Sequence, residues 1–313
     1  MIKIKKYIPA IGIAIFAYIL LKLNISSVAK EIINARFDFL ALSFLFIILS
    51  FFTSTSKWLV IARQQKMKVP FFYAFKINFV GMFYGFITPS KIGSILRVEY
   101  LKKFSDGKIG KGVSNYFLEK FLDLGSLFFL VLASSLILKN QFSGNYFQYA
   151  LGGIIVLLLL FFIFRDEKRS KSILKLFYYK FVPEKIKRML KDGFYSFYED
   201  MPEKKYFILF FVMSTIHWIV LYSITFFMGL SVGVNVSYFY FLLFMPIATF
   251  IAQIPITING LGTKEAAMIS LFGLLGVSAT KIFSMSVIGI FLNGIFPALI
   301  GLIVIFTSKQ NRA

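Results

Sequence analysis

Thr88-Pro89-Ser90-Lys91-Ile92-Gly93-Ser94-Ile95-Leu96-Arg97 interrupts an apolar run of membrane length. A second interruption reads Pro255-Ile256-Thr257-Ile258-Asn259-Gly260-Leu261-Gly262-Thr263-Lys264-Glu265. In each, proline ends a helix, because it lacks an N–H and disfavours helix at the residue before it. Glycine then permits positive φ or close backbone approach. Charged side chains sit within the same few residues. Charge at bilayer depth is costly and faces a polar cavity or pathway. A helix broken at that depth survives only where protein or a water-filled cavity surrounds it. Two such breaks predict a membrane protein that binds or moves something polar.

The rest of the chain agrees. Its 313 residues are 58% hydrophobic, with mean hydropathy +0.78, against about 45–50% apolar in a soluble domain. Forty-one phenylalanines and long uncharged runs predict an all-α, multi-pass membrane protein, read as a single membrane domain over 1–313. The net charge of +21 does not point to nucleic acid, because the basic residues flank apolar spans and no binding motif accompanies them. The absence of cysteine excludes disulfides, thiol catalysis and thiolate metal sites. The single histidine, His217, makes no metal site, and no Walker, zincin, nucleophile-elbow or dinucleotide motif calls for a cofactor. The amino-terminal run resembles a signal peptide but lacks a small-residue cleavage site, and reads as a retained helix.

Six runs are near the roughly 20 residues that cross the hydrocarbon: 7–23, 37–61, 112–138, 145–164, 206–229 and 281–306. Regions 70–103 and 237–275 each have a long first arm, a break and a short second arm, and read as re-entrant hairpins. With the amino terminus inside, segments 1–6, 62–69, 102–111, 165–205 and 307–313 carry 24 Lys and Arg, against 5 on the opposite side. That bias sets orientation and places both termini in the cytoplasm. It also requires the first hairpin to enter from the cytoplasm and the second from outside. Residues 37–138 and 206–306 then share one plan, span–hairpin–span, in opposite orientation. This is the inverted-repeat plan of many secondary transporters. Segment 165–205 reads as one or two basic amphipathic helices on the inner leaflet, or as a solvated connector.

At the first break, Ser90 or Ser94 is expected to cap a short helix after Pro89, with Gly93 in the turn. The N-terminus of that helix is expected to offer N–H groups to an anion, with Lys91 and Arg97 beside it. Arg97 can grip phosphate bidentately. At the second break, Pro255 ends one arm, Asn259 to Gly262 form a tight turn, and Thr263 is expected to cap the next helix. Glu265 suits the first turn of that helix, whereas Lys264 opposes the dipole there and is the stronger functional candidate. Asn259, Thr263 and Lys264 complete the expected head-group site with Ser90, Lys91 and Arg97. Glu119 and Asp123 are four apart, hence on one helix face. They are expected to balance Arg97 and Lys91, accept a cationic head group or exchange protons, with Glu119 nearer cytoplasmic water. His217 is expected to hydrogen-bond a neighbouring helix. Lys57 is expected to snorkel to the interface with no further role, so that its replacement does little.

Three blocks carry a resemblance: Pro89 to Arg97, Glu119-Lys120-Phe121-Leu122-Asp123-Leu124, and Pro255 to Glu265. In order and spacing the chain resembles the flippase-like integral membrane family that includes the membrane domain of lysylphosphatidylglycerol synthetases. The likeness covers almost the whole chain. It implies translocation of a lipid with a polar or phosphate-containing head group: an aminoacyl-phospholipid, a glycolipid or a polyprenol-linked sugar. The synthase or glycosyltransferase domain that some members carry is not seen, so the resemblance implies a transporter, not an enzyme, with a separate cytoplasmic synthase or glycosyltransferase as a further partner. Lys120 stands where the family usually has Arg, and Ser94 where an acidic residue is common. The competing readings are a membrane-embedded transferase acting on a lipid-linked sugar, and a non-catalytic subunit of a lipid-modifying enzyme. The cell membrane is the expected location.

Overall fold

The computed structural model describes residues 8–105, 107, 109–138, 151–152, 155, 159, 166–181, 184–199, 201–203, 205–253, 257 and 260–310. The described residues contain helices and turns but no strand. In chain order the helices are α1 (Ile8–Lys22), α2 (Ile25–Ile33), α3 (Phe37–Gln64), α4 (Phe71–Phe86), a 3-10 helix (Pro89–Phe104) and α5 (Ile109–Leu138). Then come α6 (Glu167–Phe181), α7 (Glu184–Glu199), α8 (Lys205–Ser231), α9 (Tyr238–Gln253) and α10 (Thr263–Gly273). The chain closes with α11 (Ala279–Ile290), a π-helical turn (Phe291–Ile295) and α12 (Phe296–Gln310).

Four helical stretches are long and apolar enough to cross a membrane: Phe37–Gln64, Ile109–Leu138, Lys205–Ser231 and Ala279–Thr307. They coincide with four of the six expected spans. Each measures about 40–45 Å, longer than a hydrocarbon core of roughly 30 Å, so their ends extend beyond the apolar layer. The expected span 7–23 falls on α1, whose 15 residues are too few to count among these four, and it is not followed by a loop. After Asn24 the chain turns into α2, and the two helices are bent by 84°. Asn24 makes that start, its side chain accepting from the Ser26 N–H at 3.1 Å. Val28, on α2, is buried against α11, where Ser284 Oγ donates to the Val28 carbonyl at 3.4 Å. The expected span 145–164 lies almost wholly outside the described residues.

The contacts divide the chain into two compact units. One comprises Met1–Thr55, Phe72–Arg97 and Ile216–Ala313. Within it α9 and α10 lie side by side, and the Phe241 ring is 4.7 Å from Phe272 and 5.3 Å from Phe226. α1 rests on the second break through glycines: a side chain on Gly12 would meet Thr257 and Leu261, and one on Gly262 would meet the Gly12 carbonyl. α4 packs on the last span, with Gly301 against the Phe79 carbonyl and Gly294 against the Phe86 ring. Such small-residue crossings let membrane helices approach backbone to backbone. The π turn at Phe291–Ile295 has a covalent cause. Pro297 has no N–H for the Asn293 carbonyl, and the Phe296 N–H bonds to Phe291 instead.

The other unit comprises Ser56–Phe71 and Val98–Thr215. Here segment 165–205 proves to be two helices, α6 and α7. They are tied together by bonds from Lys171 Nζ to the Tyr195 hydroxyl (2.9 Å), from Tyr198 to Ser170 Oγ (2.7 Å) and from Tyr178 to the Lys187 carbonyl (3.0 Å). α7 lies on α5, where Gly193 faces Val113 and Gly110 faces Asp192 and Ser196. Phe197 joins Val60, Tyr206 and Phe207 around a core of Ile61, Leu118, Leu122 and Phe210. α7 thus turns an apolar face to protein. α3 ends in a Schellman motif: the Met67 N–H bonds to the Ala62 carbonyl at 2.9 Å and the Lys66 N–H to Arg63 at 3.0 Å. Lys66 has φ 60, at the position where glycine is usual. A left-handed L-residue costs about 1–2 kcal/mol.

The glycine contacts yield a graded expectation. Gly301→Val drives a branched side chain into the Phe79 backbone and should destabilise the fold by about 1–3 kcal/mol or more. Gly273→Ala, at an exposed position with nothing within 4 Å, should leave stability unchanged or raise it. Thermal unfolding in detergent measures both, and equal melting temperatures would contradict the close crossing.

Candidate functional site

α5 carries a buried polar seam. Ser114, Asn115, Glu119 and Ser126 are all within 2% of full burial, and Asp123 continues the row. Their spacing of three or four residues places them along one side of the helix. At one end, Gln65 Nε2, just after α3, donates to Ser114 Oγ (3.0 Å), and Asn115 Nδ2 donates to Gln65 Oε1 (3.1 Å) and the Trp58 carbonyl (3.2 Å). At the other end, Ser126 and Thr215 hydroxyls are 2.8 Å apart.

Charge lies between these two polar layers. Lys57 Nζ pairs with Asp123 Oδ1 and is 3.6 Å from Glu119 Oε1. Side-chain exposure is 2% for Lys57, 3% for Glu119 and 14% for Asp123. Ser214 Oγ of α8 donates to Asp123 Oδ1 at 3.0 Å, and the half-exposed Lys120 is 3.8 Å from Oδ2. The cluster is well inside the spans: Lys57 lies about 10 Å from the Gln64 end of α3, and Ser214 about 14 Å from the start of α8, at about 1.5 Å per residue. Charges so far from water persist only when paired and hydrogen-bonded. Two expectations are corrected here. Lys57 does not snorkel but turns inward to both carboxylates. Glu119, expected nearer water, is the more enclosed of the two acids.

The first break is built differently from its expected form. The Thr88 hydroxyl donates to the Tyr84 carbonyl (2.7 Å) and accepts from the Gly93 N–H (2.8 Å), closing α4 and turning the chain in one move. The second arm is a 3-10 helix, not an α-helix. Ser94 lies inside it and not at its start, its hydroxyl donating back to the Lys91 carbonyl at 2.7 Å. Two N–H groups expected to face an anion are taken within the turn, Lys91 by the Thr88 carbonyl and Gly93 by the Thr88 hydroxyl. Gly93 serves close approach: a Cβ there would lie 2.7 Å from Thr88 Oγ1 and closer still to the Tyr84 carbonyl. The positive φ falls instead on Lys91, at 56°. A non-glycine residue so held marks local strain of the kind that gathers at working sites. Arg97 is 4% exposed, its chain lying along Gly81 of α4.

At the second break, Gly260 and Gly262 have φ 75 and 83. Gly262, not Thr263, is the N-cap of α10. The Thr263 hydroxyl donates to the Gly260 carbonyl (3.0 Å) and is 3.2 Å from Thr257 Oγ1. Glu265 accepts from the Gly262 N–H (2.5 Å) and from Ser286 Oγ of α11 (2.6 Å), and is 2% exposed. It is thus a capping carboxylate that also ties the break to the last span. Lys264 is partly buried, and among the described residues no carboxylate is within ion-pair distance of it. Pro255 and Asn259 lie outside the described residues, as do the side chains of Pro89 and Ser90. His217 Nδ1 is 2.9 Å from Thr53 Oγ1 of α3, as expected. Among the described residues no cluster of His, Asp and Glu could hold a metal ion.

Two features escaped the sequence reading, Lys57 and Asn293. Asn293 sits exposed in the π turn, beside Gly294 and the end of α4. Its signal was the Asn293-Gly294 pair followed by Pro297 within an apolar run. Lys57 had none beyond being an ionisable residue in a span.

The charge count of the cluster sets its mutational response. Lys57→Gln removes the buried cation that Glu119 and Asp123 share, leaving Asp123 the half-exposed Lys120, and should cost about 3–5 kcal/mol, seen as lost folded yield or a lower melting temperature. Glu119→Gln leaves Lys57 facing Asp123 one to one and should be milder. A Lys57→Gln protein as stable as wild type would remove the ion cluster from the fold's support.

The chain was compared with known proteins. It is 23% identical over 236 residues to a UPF0104 membrane protein of Methanocaldococcus jannaschii, covering 74% of this chain and 96% of that protein. The family described as the lysylphosphatidylglycerol synthase transmembrane region matches residues 9–301. That range takes in both breaks, the buried cluster, three of the four long spans and most of the fourth, and the chain belongs to this family of multi-pass membrane proteins.

Proposed function

We propose that this protein translocates a lipid with a polar, phosphate-bearing head group across the cell membrane, with both termini in the cytoplasm. The observation that carries the reading is the buried Lys57–Glu119–Asp123 cluster within membrane-spanning helices. A protein that only anchored would gain little stability from such a cluster, since well-packed apolar residues are as stable or more so. Membership in a family named for a lipid-synthase membrane region supports a lipid as the cargo.

The elements run span, broken arm, span over 37–138 and again over 206–306, which supports an inverted repeat with re-entrant hairpins at 70–103 and 237–275. In the 3-10 arm each residue rises about 2.0 Å, so re-entry of the first hairpin rests on the distribution of basic residues and not on arm length. Arg97 and the strained Lys91 would hold the phosphate at one break. Lys264, with Thr263 and Asn259, would receive it at the other. The lipid tails would remain in the bilayer, because head-group passage is the costly part. Lys57 faces two carboxylates, and Asp123 is also 3.8 Å from the half-exposed Lys120. A carboxylate shared between cations in this way could exchange a proton as they move, which suits the cluster to couple head-group movement to a proton gradient. Glu265, engaged at both oxygens, would hold the second break in shape.

Transport of a fluorescent phospholipid in reconstituted vesicles tests this. Wild type should respond to an imposed pH gradient, Asp123→Asn should lose that response, and Arg97→Lys should slow transport while keeping charge. Gradient-independent transport by wild type would end the coupling role, and full transport by Arg97→Ala would remove Arg97 from the site. Orientation has its own test, made simple by the absence of native cysteine. Cysteines at the exposed positions Lys103 and Lys168 should label only from the cytoplasm, and one at Ser278 only from outside. External labelling at 103 would sink the first re-entrant hairpin.

A further inference from the structure

The loop that follows α3 alternates with unusual regularity. Gln65, Met67 and Val69 are buried, whereas Lys66, Lys68 and Pro70 are exposed, as is Arg63 one turn earlier. The buried residues fix the loop: Gln65 bonds to Ser114 and Asn115, and the Met67 N–H closes onto Ala62. Arg63, Lys66 and Lys68 are therefore held on a rigid frame. With Met67, Val69 and Pro70 they line an open hollow of about 590 Å³. No acidic residue lines it, and among the described residues none of the three cations forms an ion pair.

Topology alone explains why basic residues follow an apolar span. It does not explain the position of Lys66. At φ 60 it fills the left-handed site of the Schellman motif, where glycine would sit without strain, and a lysine at an exposed neighbour would satisfy the topology rule equally. The strained choice is accounted for if the charge is needed at that point, aimed by that backbone. We infer that Arg63, Lys66 and Lys68 form a site for the phosphate of an anionic phospholipid. The loop ends a membrane-spanning helix, so the hollow lies at the level where lipid phosphates lie. Its apolar lining suits the glycerol and upper acyl chain. This site is separate from the buried cluster and does not rest on the translocation reading.

The test uses the full chain in zwitterionic detergent. Phosphatidylglycerol is titrated in, with phosphatidylcholine and glycerol phosphate as controls, and thermal stability is followed. Phosphatidylglycerol should stabilise the wild type, and the two controls should not. Lys66→Gly should weaken the apparent affinity about five-fold, the share of one basic residue at an anionic surface. Its melting temperature without lipid should equal or exceed that of wild type, because the strain is relieved. Arg63→Gln/Lys68→Gln should weaken the affinity about 25-fold by the same reckoning. Lys175→Gln, exposed on α6, should leave it unchanged. Unaltered affinity in Lys66→Gly would overturn the proposal. So would equal losses in Lys175→Gln, which mean diffuse attraction, or equal stabilisation by glycerol phosphate, which means a soluble ligand.

Discussion

Lys57 meets two carboxylates where none of the three could stay charged alone. In a low-dielectric interior their attraction is strong, yet so is the desolvation each has undergone. The cluster therefore sets which helices adjoin more than it adds stability. α3 and α5 must keep Lys57 opposite Glu119 and Asp123, and α8 must keep Ser214 against Asp123. A helical turn of slip in any of them would leave a bare charge. The flanking layers, Gln65–Ser114–Asn115 and Ser126–Thr215, repeat that demand with neutral groups. In hydrocarbon, where apolar surface does little to bring helices together, such a seam is what specifies partners.

The two breaks reach similar shapes by different chemistry. At the first, one threonine hydroxyl supplies both the closing bond of α4 and the acceptor for Gly93, and strain is carried by a lysine. At the second, two glycines carry the positive φ, and Glu265 supplies the cap and the link to α11. The first thus has a cation in its strained position, whereas the second has its cation, Lys264, on a regular helix.

Much of this was legible in the sequence. The four long spans follow from hydropathy, because twenty apolar residues have few other uses. The breaks were legible because Pro89 cannot continue a helix, whereas Gly93, Gly260 and Gly262 tolerate backbone that other residues do not. Glu265 as a cap followed from its place three residues after Gly262. What stayed hidden depended on partners remote in the chain. Lys57 looks like any lysine near a span end until α5 is laid beside it. α2 was hidden because its apolar positions, anchored by Val28, complete a face only against α11. The 3-10 winding after Pro89 is a choice between near-equal hydrogen-bond patterns, and no residue there dictates it. Thr263 and Ser94 were misjudged for one reason: a hydroxyl beside a turn has several carbonyls and N–H groups in reach, and sequence does not rank them.

The mutual contact of Gly12 and Gly262 has a practical corollary. α1 is seated backbone to backbone on the turn of the second break, so the two cannot shift independently by even a methyl group's width. A load on the amino-terminal helix is a load on that turn. Affinity tags and fluorescent fusions placed ahead of α1 would therefore pull on the turn of the second break.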